Sequence, residues 1–220
     1  MGDSYFEYLL KLWLLFGKTT TLYRDMYYES AEAIYNIMGQ KLPKKDMFYI
    51  AEYNNGKKIH KHDHLACFTG GMLALGAIHS DKPEIRYVLM IQPNPPLVIK
   101  FRWNFYRKTH LEAGAGIAKF CYEMYRGMAS GLSPEYVNVD VNSEALNAPM
   151  GDARAYIMRP ETVETLFYMW RFTGEQKYRD WGWEIFEAIE KHCKASEGYT
   201  GLRDVTTTHP MKDDMQQSFF

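Results

Sequence analysis

Apolar residues recur along most of the chain at the three- and four-residue intervals of a helix that buries one face. The first such stripe consists of Tyr5, Leu9, Leu12 and Phe16. Ser4 and Glu7 have the spacing of a capping box, so we expect this helix to begin close to residue 1. Five more segments carry a helical stripe: residues 27–38, 65–75, 111–125, 163–170 and 178–189. The pattern therefore predicts six helices.

Glycine and proline mark where some of these helices begin and end. Gly39 and Gly174 follow two of the stripes, where glycine often terminates a helix, and Pro160 suits the first position of the fifth helix. Residues 48–53 are expected to form a short strand that enters a turn at Asn54-Asn55-Gly56.

Residues 87–108 depart from the helical pattern. Pro93, Pro95 and Pro96 exclude a continuous helix, and no acidic residue occurs in the segment. We therefore interpret this segment as an atypical insertion.

The predicted fold class is all-α, built from antiparallel helix pairs. The sequence lacks the alternation of strands and helices that is typical of a Rossmann sheet, and it lacks a glycine-rich phosphate loop. A single helix pair exposes one apolar face, so such pairs either stack into a solenoid or close into a barrel. The periodicity alone does not choose between these two.

Composition narrows the classes of function. The 220 residues include 26 Lys and Arg against 27 Asp and Glu, a formal net charge of −1 that gives no global attraction for nucleic acid or acidic membranes. The sequence contains neither a run of about 18 apolar residues that would span a bilayer nor the pattern of a signal peptide. The three cysteines match no zinc spacing and allow one disulfide at most.

Acidic residues lie at two predicted helix starts. Asp3 precedes Ser4, and Glu161 follows Arg159-Pro160. One interpretation is compensation of the helix dipole, worth roughly 0.3–1 kcal/mol, with no catalytic role. The other is a carboxylate that Arg159 keeps ionised, in a pocket whose aromatic side chains present flat apolar faces to a sugar ring. The aromatic content of 15% favours the second interpretation.

His60, His62 and His64 alternate in a run before the third helix. Because no cysteine pair or His-Glu-x-x-His helix accompanies them, we interpret the run as a solvated polar stretch of a loop rather than a metal site. For His64 alone, a polar cap and a ligand of a sugar hydroxyl are equal alternatives.

Five ordered motifs resemble glycoside hydrolase family 47, the class I α-1,2-mannosidases. The motifs are residues 2–11 (GDSYFEYLLK), 64–68 (HLACF), 131–135 (GLSPE), 159–165 (RPETVET) and 216–220 (QQSFF). The sequences of residues 69–72 and 215–220 are most similar to those of the Golgi branch. The resemblance covers nearly the whole chain except residues 87–108, so residues 1–220 are identified as a partial catalytic domain of this family.

The resemblance implies a fold, a reaction and a site. The family forms an (α/α)7 barrel around a calcium-containing pocket and removes α-1,2-linked mannose from N-glycans with inversion. Its catalytic acids are matched by Asp3, Glu135 and Glu161, with Glu161 as the candidate base and Asp3 as an acid or water-polarising partner. The residues that match its sugar pocket are His64, Arg159, Glu164 and Phe219. The family's disulfide pair is matched by Cys67 and Cys121.

The resemblance also implies where the calcium ligand lies. No metal ligand is expected within residues 1–220, because the family's calcium-binding threonine belongs to a segment expected beyond Phe220. A further pocket glutamate and a membrane anchor are likewise expected outside these residues. We therefore expect no turnover by the 220 residues alone.

The expected setting follows from the same resemblance. The expected partner is a high-mannose N-glycan on a glycoprotein, and the expected location is the lumenal side of the Golgi membrane or, alternatively, the endoplasmic reticulum. Two alternative functions are a lectin-like quality-control relative that binds mannose glycans in ER-associated degradation, and a helical-repeat interaction module.

Overall fold

The computed structural model describes the backbone of residues 3–81, 85–91, 97–103 and 105–218, and the side chains of residues 4–81 and 107–218. Six α-helices lie in this part of the chain, where the apolar stripes predict them. They are α1 (Asp3–Leu15), α2 (Thr21–Ala33), α3 (Phe68–His79), α4 (Phe105–Arg126), α5 (Glu161–Thr173) and α6 (Lys177–His192). None of these helices is long and apolar enough to cross a membrane.

The helix ends follow local chemistry, with differences from the prediction. α5 ends at Gly174, whose φ of 72° is a left-handed conformation that glycine adopts without a steric penalty. The stripe at residues 27–38 spans two elements, because α2 passes into a π-helical turn at Ile34–Met38 before Gly39 begins a strand. Pro160 precedes α5 as its N-cap residue instead of occupying the first helical position.

The described residues also form four small antiparallel sheets in connections between the helices, which the all-α prediction did not include. They pair β1 (Gly39–Leu42) with β2 (Met47–Ile50), β3 (Glu52–Asn54) with β4 (Lys57–Ile59), β5 (Lys61–Asp63) with β8 (Tyr136–Asp140), β8 with β9 (Ala145–Asn147), and β6 (Ile85–Ile91) with β7 (Leu97–Trp103). The short strand predicted at 48–53 and its Asn-Gly turn correspond to β2, β3 and the turn into β4. Most of the strands are too short to show a pattern in the sequence. β3 and β4 are also exposed at every position, so they lack the alternation that identifies a half-buried strand.

The proline-containing segment is not helical between residues 87 and 103 where the structure describes it, as expected. β6 and β7 form an antiparallel pair in which Ile85 lies opposite Trp103 and Ile91 opposite Leu97. Residues 105–108, at the end of the segment, already belong to α4. The rest of the segment, residues 92–96 and 104, lies outside the described residues.

α3 is the central helix of the described fold and packs against both α4 and α5. A Cβ atom on Gly114 of α4 would lie 2.9 Å from the carbonyl oxygen of Gly70 in α3, so glycine is needed where these helices meet. Thr165 of α5 fixes the other contact: its hydroxyl donates to the Cys67 carbonyl at 2.8 Å and accepts the Gly71 N–H at 3.0 Å. The first residues of α5 are thereby positioned over the start of α3.

A disulfide between Cys67 and Cys121 ties the residue before α3 to α4, as the resemblance implies. Cys193, immediately after α6, is a buried free thiol, and burial raises its pKa to about 12. All three sulfur atoms therefore belong to buried residues of the core.

Candidate active site

A cavity of about 450 Å³ lies where the first turns of α1 and α5 meet the approach to α3. Four acidic residues line it: Glu7, Asp63, Glu161 and Glu164. Most of the remaining wall is apolar and comes from Phe6, Ile34, Met38, Ile50, Leu65, Phe68 and Met72. Apolar walls with a few convergent polar groups are typical of a small-molecule site.

Glu161, the first residue of α5, is hydrogen-bonded to a buried histidine. Nδ1 of His64 lies 2.9 Å from Oε2 of Glu161, and the two side chains are 2% and 17% exposed. The pairing of β5 with β8 brings residue 64 beside residue 135, where the His64 backbone N–H donates to the Glu135 carbonyl at 2.9 Å. The carboxylate therefore lines the cavity and the imidazole supports it from the protein interior.

Two buried tyrosines extend this contact into the core. The hydroxyl of Tyr125 lies 2.7 Å from Nε2 of His64, and the hydroxyl of Thr162 lies 3.2 Å from the same nitrogen. Tyr125 is hydrogen-bonded in turn to Tyr156. Burial is the main cause that raises the pKa of both phenols. The sequence places Tyr125 only on an apolar helix face, since no local pattern marks a hydroxyl contact across 61 residues.

Arg159 binds Glu135 and not Glu161, which corrects the predicted pairing. Its Nε lies 3.1 and 3.0 Å from the two carboxylate oxygens of Glu135, and its Nη2 lies 2.7 Å from Oε2. Burial lowers the pKa of Arg159, but the hydrogen bonds and charge of Glu135, with a smaller effect of Glu161, raise it overall. Glu135 is thus held in an ion pair beside Glu161.

Lys11 joins two acids of the cavity wall. Its ammonium lies 3.3 Å from Oε1 of Glu164, contacts Glu7 one helical turn away, and lies 4.9 Å from the centre of the Phe68 ring. The pKa of Lys11 is lowered by burial but raised overall by the two carboxylates. Glu7 therefore pairs with Lys11, and Ser4 lies within α1 rather than before it, which differs from the predicted capping box.

The prediction of a solvated histidine run is wrong for two of its three members. His62 in β5 and His64 after it are 0% and 1% exposed. Nδ1 of His62 lies 3.0 Å from the Ile50 carbonyl, and its Nε2 lies 3.5 Å from the sulfur atoms of both Cys67 and Cys121. His62 is the buried middle residue of β5, and His64 begins the short 3₁₀ turn that leads into α3.

The structure brings several predicted site residues to one region. Glu161 and Glu164 line the cavity, His64 contacts Glu161, and Arg159 and Glu135 form the adjacent ion pair.

Two predicted site residues, Asp3 and Phe219, lie wholly or partly outside the described residues. Asp3 begins α1, but its side chain lies outside the described residues. The neighbouring Ser4 and Glu7 line the same cavity as Glu161. Phe219 and Phe220 lie entirely outside the described residues, so a pocket role for Phe219 and a calcium-binding threonine beyond Phe220 stay predictions.

The described residues offer no cluster of acidic side chains suited to calcium. Among them, the one group of three or more acidic, histidine or cysteine side chains close enough to share a metal is His62, Cys67 and Cys121. Its two sulfur atoms are bonded to each other, and calcium prefers oxygen ligands. The described carboxylates of the cavity do not cluster closely enough to replace such a set.

Comparison with known proteins agrees with the resemblance. The family model for glycosyl hydrolase family 47 matches residues 1–220. The chain is 41% identical over 220 residues to mannosyl-oligosaccharide α-1,2-mannosidase IA of Drosophila melanogaster, covering 100% of this chain and 29% of that protein. It is also 41% identical to mannosyl-oligosaccharide 1,2-α-mannosidase IA of Sus scrofa, covering 100% of this chain and 30% of the relative.

A solved structure gives the same result for the fold. The α-1,2-mannosidase from Trichoderma reesei superposes with a TM-score of 0.76 and 28% identity, covering 99% of this chain and 43% of that one. The chain thus spans about three tenths of the length of the first two relatives and less than half of this structure. Because the family model covers every residue, the chain belongs to glycosyl hydrolase family 47.

Proposed function

We propose that the chain is part of the catalytic domain of an α-1,2-mannosidase, which hydrolyses terminal α-1,2-linked mannose with inversion. Relatives at 41% identity carry the name of this activity. The observation that carries the proposal for this chain is Glu161 on the cavity wall, with one carboxylate oxygen fixed by the buried His64. A carboxylate held in this way is oriented before the substrate arrives.

In the proposed reaction Glu161 is the general base. Inversion requires one carboxylate to remove a proton from the attacking water while a second carboxyl group protonates the leaving oxygen, with roughly 6.5–9.5 Å between them. Glu161 suits the first role because it lines the cavity and is held by His64 at Oε2, so that Oε1 can take the proton of water.

We assign the second role, leaving-group acid or polarisation of water, to Asp3. It starts α1, and the first turns of this helix supply Ser4 and Glu7 to the same cavity as Glu161. A group on α1 therefore approaches a bound sugar from a different wall than a group on α5.

The remaining matched residues are proposed to hold the sugar and the acids. Arg159, two residues before Glu161 in the chain, contacts both carboxylate oxygens of Glu135 and fixes their orientation. Glu164, oriented by Lys11, is proposed to bind sugar hydroxyls. Phe219 is proposed to pack against the sugar ring, since aromatic faces suit its apolar side.

We propose Ca²⁺ as the cofactor of the complete enzyme, as the resemblance implies. Calcium is held by oxygen ligands, but the described residues do not provide a cluster of them. The ligand is instead proposed to be a threonine beyond Phe220, and no step above is routed through the ion.

The larger setting is also a proposal. We infer that the six helices belong to an (α/α)7 barrel, that residues 1–220 are a partial catalytic domain with an unusual segment at 87–108, and that the substrate is a high-mannose N-glycan. The relatives' names support an oligosaccharide substrate. The Golgi lumen, or alternatively the endoplasmic reticulum, is the proposed location.

Substitution of Glu161 tests this function. The assay uses the complete polypeptide that the transcript encodes, purified with calcium, and measures mannose released from a high-mannose N-glycan. Glu161→Gln keeps the size of the side chain but removes the base, so we expect turnover to fall about 10²- to 10⁴-fold. Glu187→Gln, an exposed glutamate of α6, is the matched control and should keep full activity.

The assay also separates hydrolysis from lectin-like binding. Retention of full turnover by Glu161→Gln would contradict the assigned base. Binding of the glycan without any release of mannose by the unsubstituted protein would support the quality-control alternative instead.

A further inference from the structure

We infer that Tyr125 is a positioning residue that donates a hydrogen bond to Nε2 of His64 and thereby holds the imidazole that orients Glu161. This inference rests on the proposed function of Glu161 as the base. Tyr125 lies on α4, and no described residue of α4 lines the cavity that contains Glu161. It therefore acts through His64 and not on the sugar.

The first step is that His64 has defined neighbours at both ring nitrogens. Nδ1 lies 2.9 Å from Oε2 of Glu161, and Nε2 lies 2.7 Å from the Tyr125 hydroxyl. The side chain is 2% exposed, so bulk water does not compete for these contacts. The hydroxyl of Thr162, at 3.2 Å from Nε2, is the longer of the two contacts at that nitrogen.

The second step is a proton count. An ionised carboxylate only accepts hydrogen bonds, so Nδ1 of His64 must donate to Glu161. A neutral imidazole carries one N–H, which leaves Nε2 as an acceptor that needs a donor. The Tyr125 hydroxyl supplies that donor. In the other tautomer, the lone pair of Nδ1 would face the negative charge of Glu161.

The third step is that Tyr125 remains a donor. Burial raises its pKa, hydrogen bonds from Tyr156 and Thr162 partly oppose this, and the charges of Glu161 and Glu135 add to the rise. The phenol thus stays protonated at neutral pH. Its oxygen accepts from Tyr156, whose ring lies edge-on with its centre 5.9 Å from that of Tyr125. A directed chain results, from Tyr156 through Tyr125 and His64 to Glu161.

Removal of one hydroxyl tests the inference. Tyr125→Phe keeps the buried ring and deletes only the donor to Nε2. Tyr122→Phe is the matched control, because Tyr122 lies on the same helix, is also buried, and directs its hydroxyl to Glu184. Thermal unfolding of both variants checks that the fold is retained.

The direct readout is the tautomer of His64 in the 220-residue chain. The nitrogen chemical shifts of the imidazole distinguish a protonated from an unprotonated ring nitrogen, and loss of one set of signals in His64→Gln assigns them among the seven histidines. We expect a protonated Nδ1 and an unprotonated Nε2 at pH 7 in the unsubstituted chain and in Tyr122→Phe. In Tyr125→Phe we expect the Nε2 signal to move, because this nitrogen has lost its closer hydrogen-bond donor.

The kinetic readout uses the complete polypeptide. We expect kcat of Tyr125→Phe to fall about 10- to 100-fold, the range found when groups that orient a functional histidine are removed, with KM unchanged. A protonated Nε2 in the unsubstituted protein would overturn the inference, whether the histidine is the other tautomer or doubly protonated. An unchanged Nε2 signal or an unchanged kcat in Tyr125→Phe would also overturn it.

These outcomes are distinct from failure of the proposed function. If Glu161→Gln loses turnover while Tyr125→Phe changes nothing, the base assignment stands and the positioning role is wrong. If Glu161→Gln keeps full turnover, the base assignment is wrong and the kinetic part of the inference fails with it, whatever the tautomer of His64.

Discussion

The side chains around the cavity work in pairs. The pairs are His64 with Glu161, Arg159 with Glu135, and Lys11 with Glu164. Each pair fixes a carboxylate by a charged or directional partner, and hydrogen bonds to charged groups are about twice as strong as neutral ones. The acids are consequently oriented by the protein itself, which in the proposed reaction would lower the entropic cost of reaching the transition state.

The buried histidine of β5 makes stability dependent on pH. Burial lowers the pKa of His62 to about 3, the hydrogen bond with Ile50 partly opposes this shift, and the neighbouring His64 adds to it. In the unfolded chain the pKa returns to about 6.5. Between these values the unfolded state binds a proton that the folded state does not, so the free energy of unfolding falls as the pH drops from 6.5 towards 3.

Urea unfolding at pH 7, 5 and 4 measures this effect. The contribution of one histidine is at most about 1.4 kcal/mol per pH unit within the window. We expect His62→Gln to flatten the pH dependence of the free energy of unfolding, and His209→Gln, at an exposed position, to leave it as in the unsubstituted chain. Equal slopes in both variants would show that His62 is not the group responsible.

The sequence identifies the chemical groups of the site better than their partners. Motifs mark Glu161, Glu135 and His64 because each carries its own local signature. Their partners lie far away along the chain. His64 is 97 residues from Glu161, Arg159 is 24 residues from Glu135, and Tyr125 is 61 residues from His64. Proximity in the sequence pairs Arg159 with its neighbour Glu161 for this reason, although the folded chain brings Glu135 to it.

At the level of elements, helices are predictable here and short strands mostly are not. The stripe of α4 or α6 repeats over several turns, so the period is evident from the sequence alone. β5 has three residues, and only its middle residue, His62, is buried. A single buried histidine carries no periodicity, and its burial depends on β8, which lies far along the chain.

The contact between α3 and α4 gives a prediction for a single methyl group. Gly114→Ala would place a Cβ atom 2.9 Å from the backbone oxygen of Gly70, which cannot move without shifting α3. We expect a loss of about 1–3 kcal/mol in the free energy of unfolding, as for other overpacked sites. The measurement is the urea midpoint with the slope checked for two-state behaviour.

Gly182→Ala is the matched control. Gly182 lies within α6, and nothing lies within 4 Å of the position its Cβ would take. Alanine is the better helix former by about 0.5–1 kcal/mol, so we expect this variant to gain stability. If Gly114→Ala gained as much as Gly182→Ala, the close approach of α3 and α4 would be contradicted.

Among the described residues, large apolar side chains remain exposed on four helices. They are Tyr5, Tyr8 and Leu15 of α1, Leu22 of α2, Val163 and Phe167 of α5, and Trp183 and Phe186 of α6. The helical stripes predict apolar faces on helix pairs, and the proposed barrel would cover these faces with further pairs. The chain spans about three tenths of the length of its first two relatives. The absence of turnover by residues 1–220 alone stays a prediction.

The measurement closest to the central claim is the anomer of the first mannose released. The complete polypeptide is mixed with a high-mannose N-glycan, and proton NMR follows the product before mutarotation. The proposed mechanism, with Glu161 as the base, predicts β-mannose from the α-linked substrate, because water attacks the face opposite the leaving group. Initial release of α-mannose would contradict a base role for Glu161 and with it the proposed chemistry of the site.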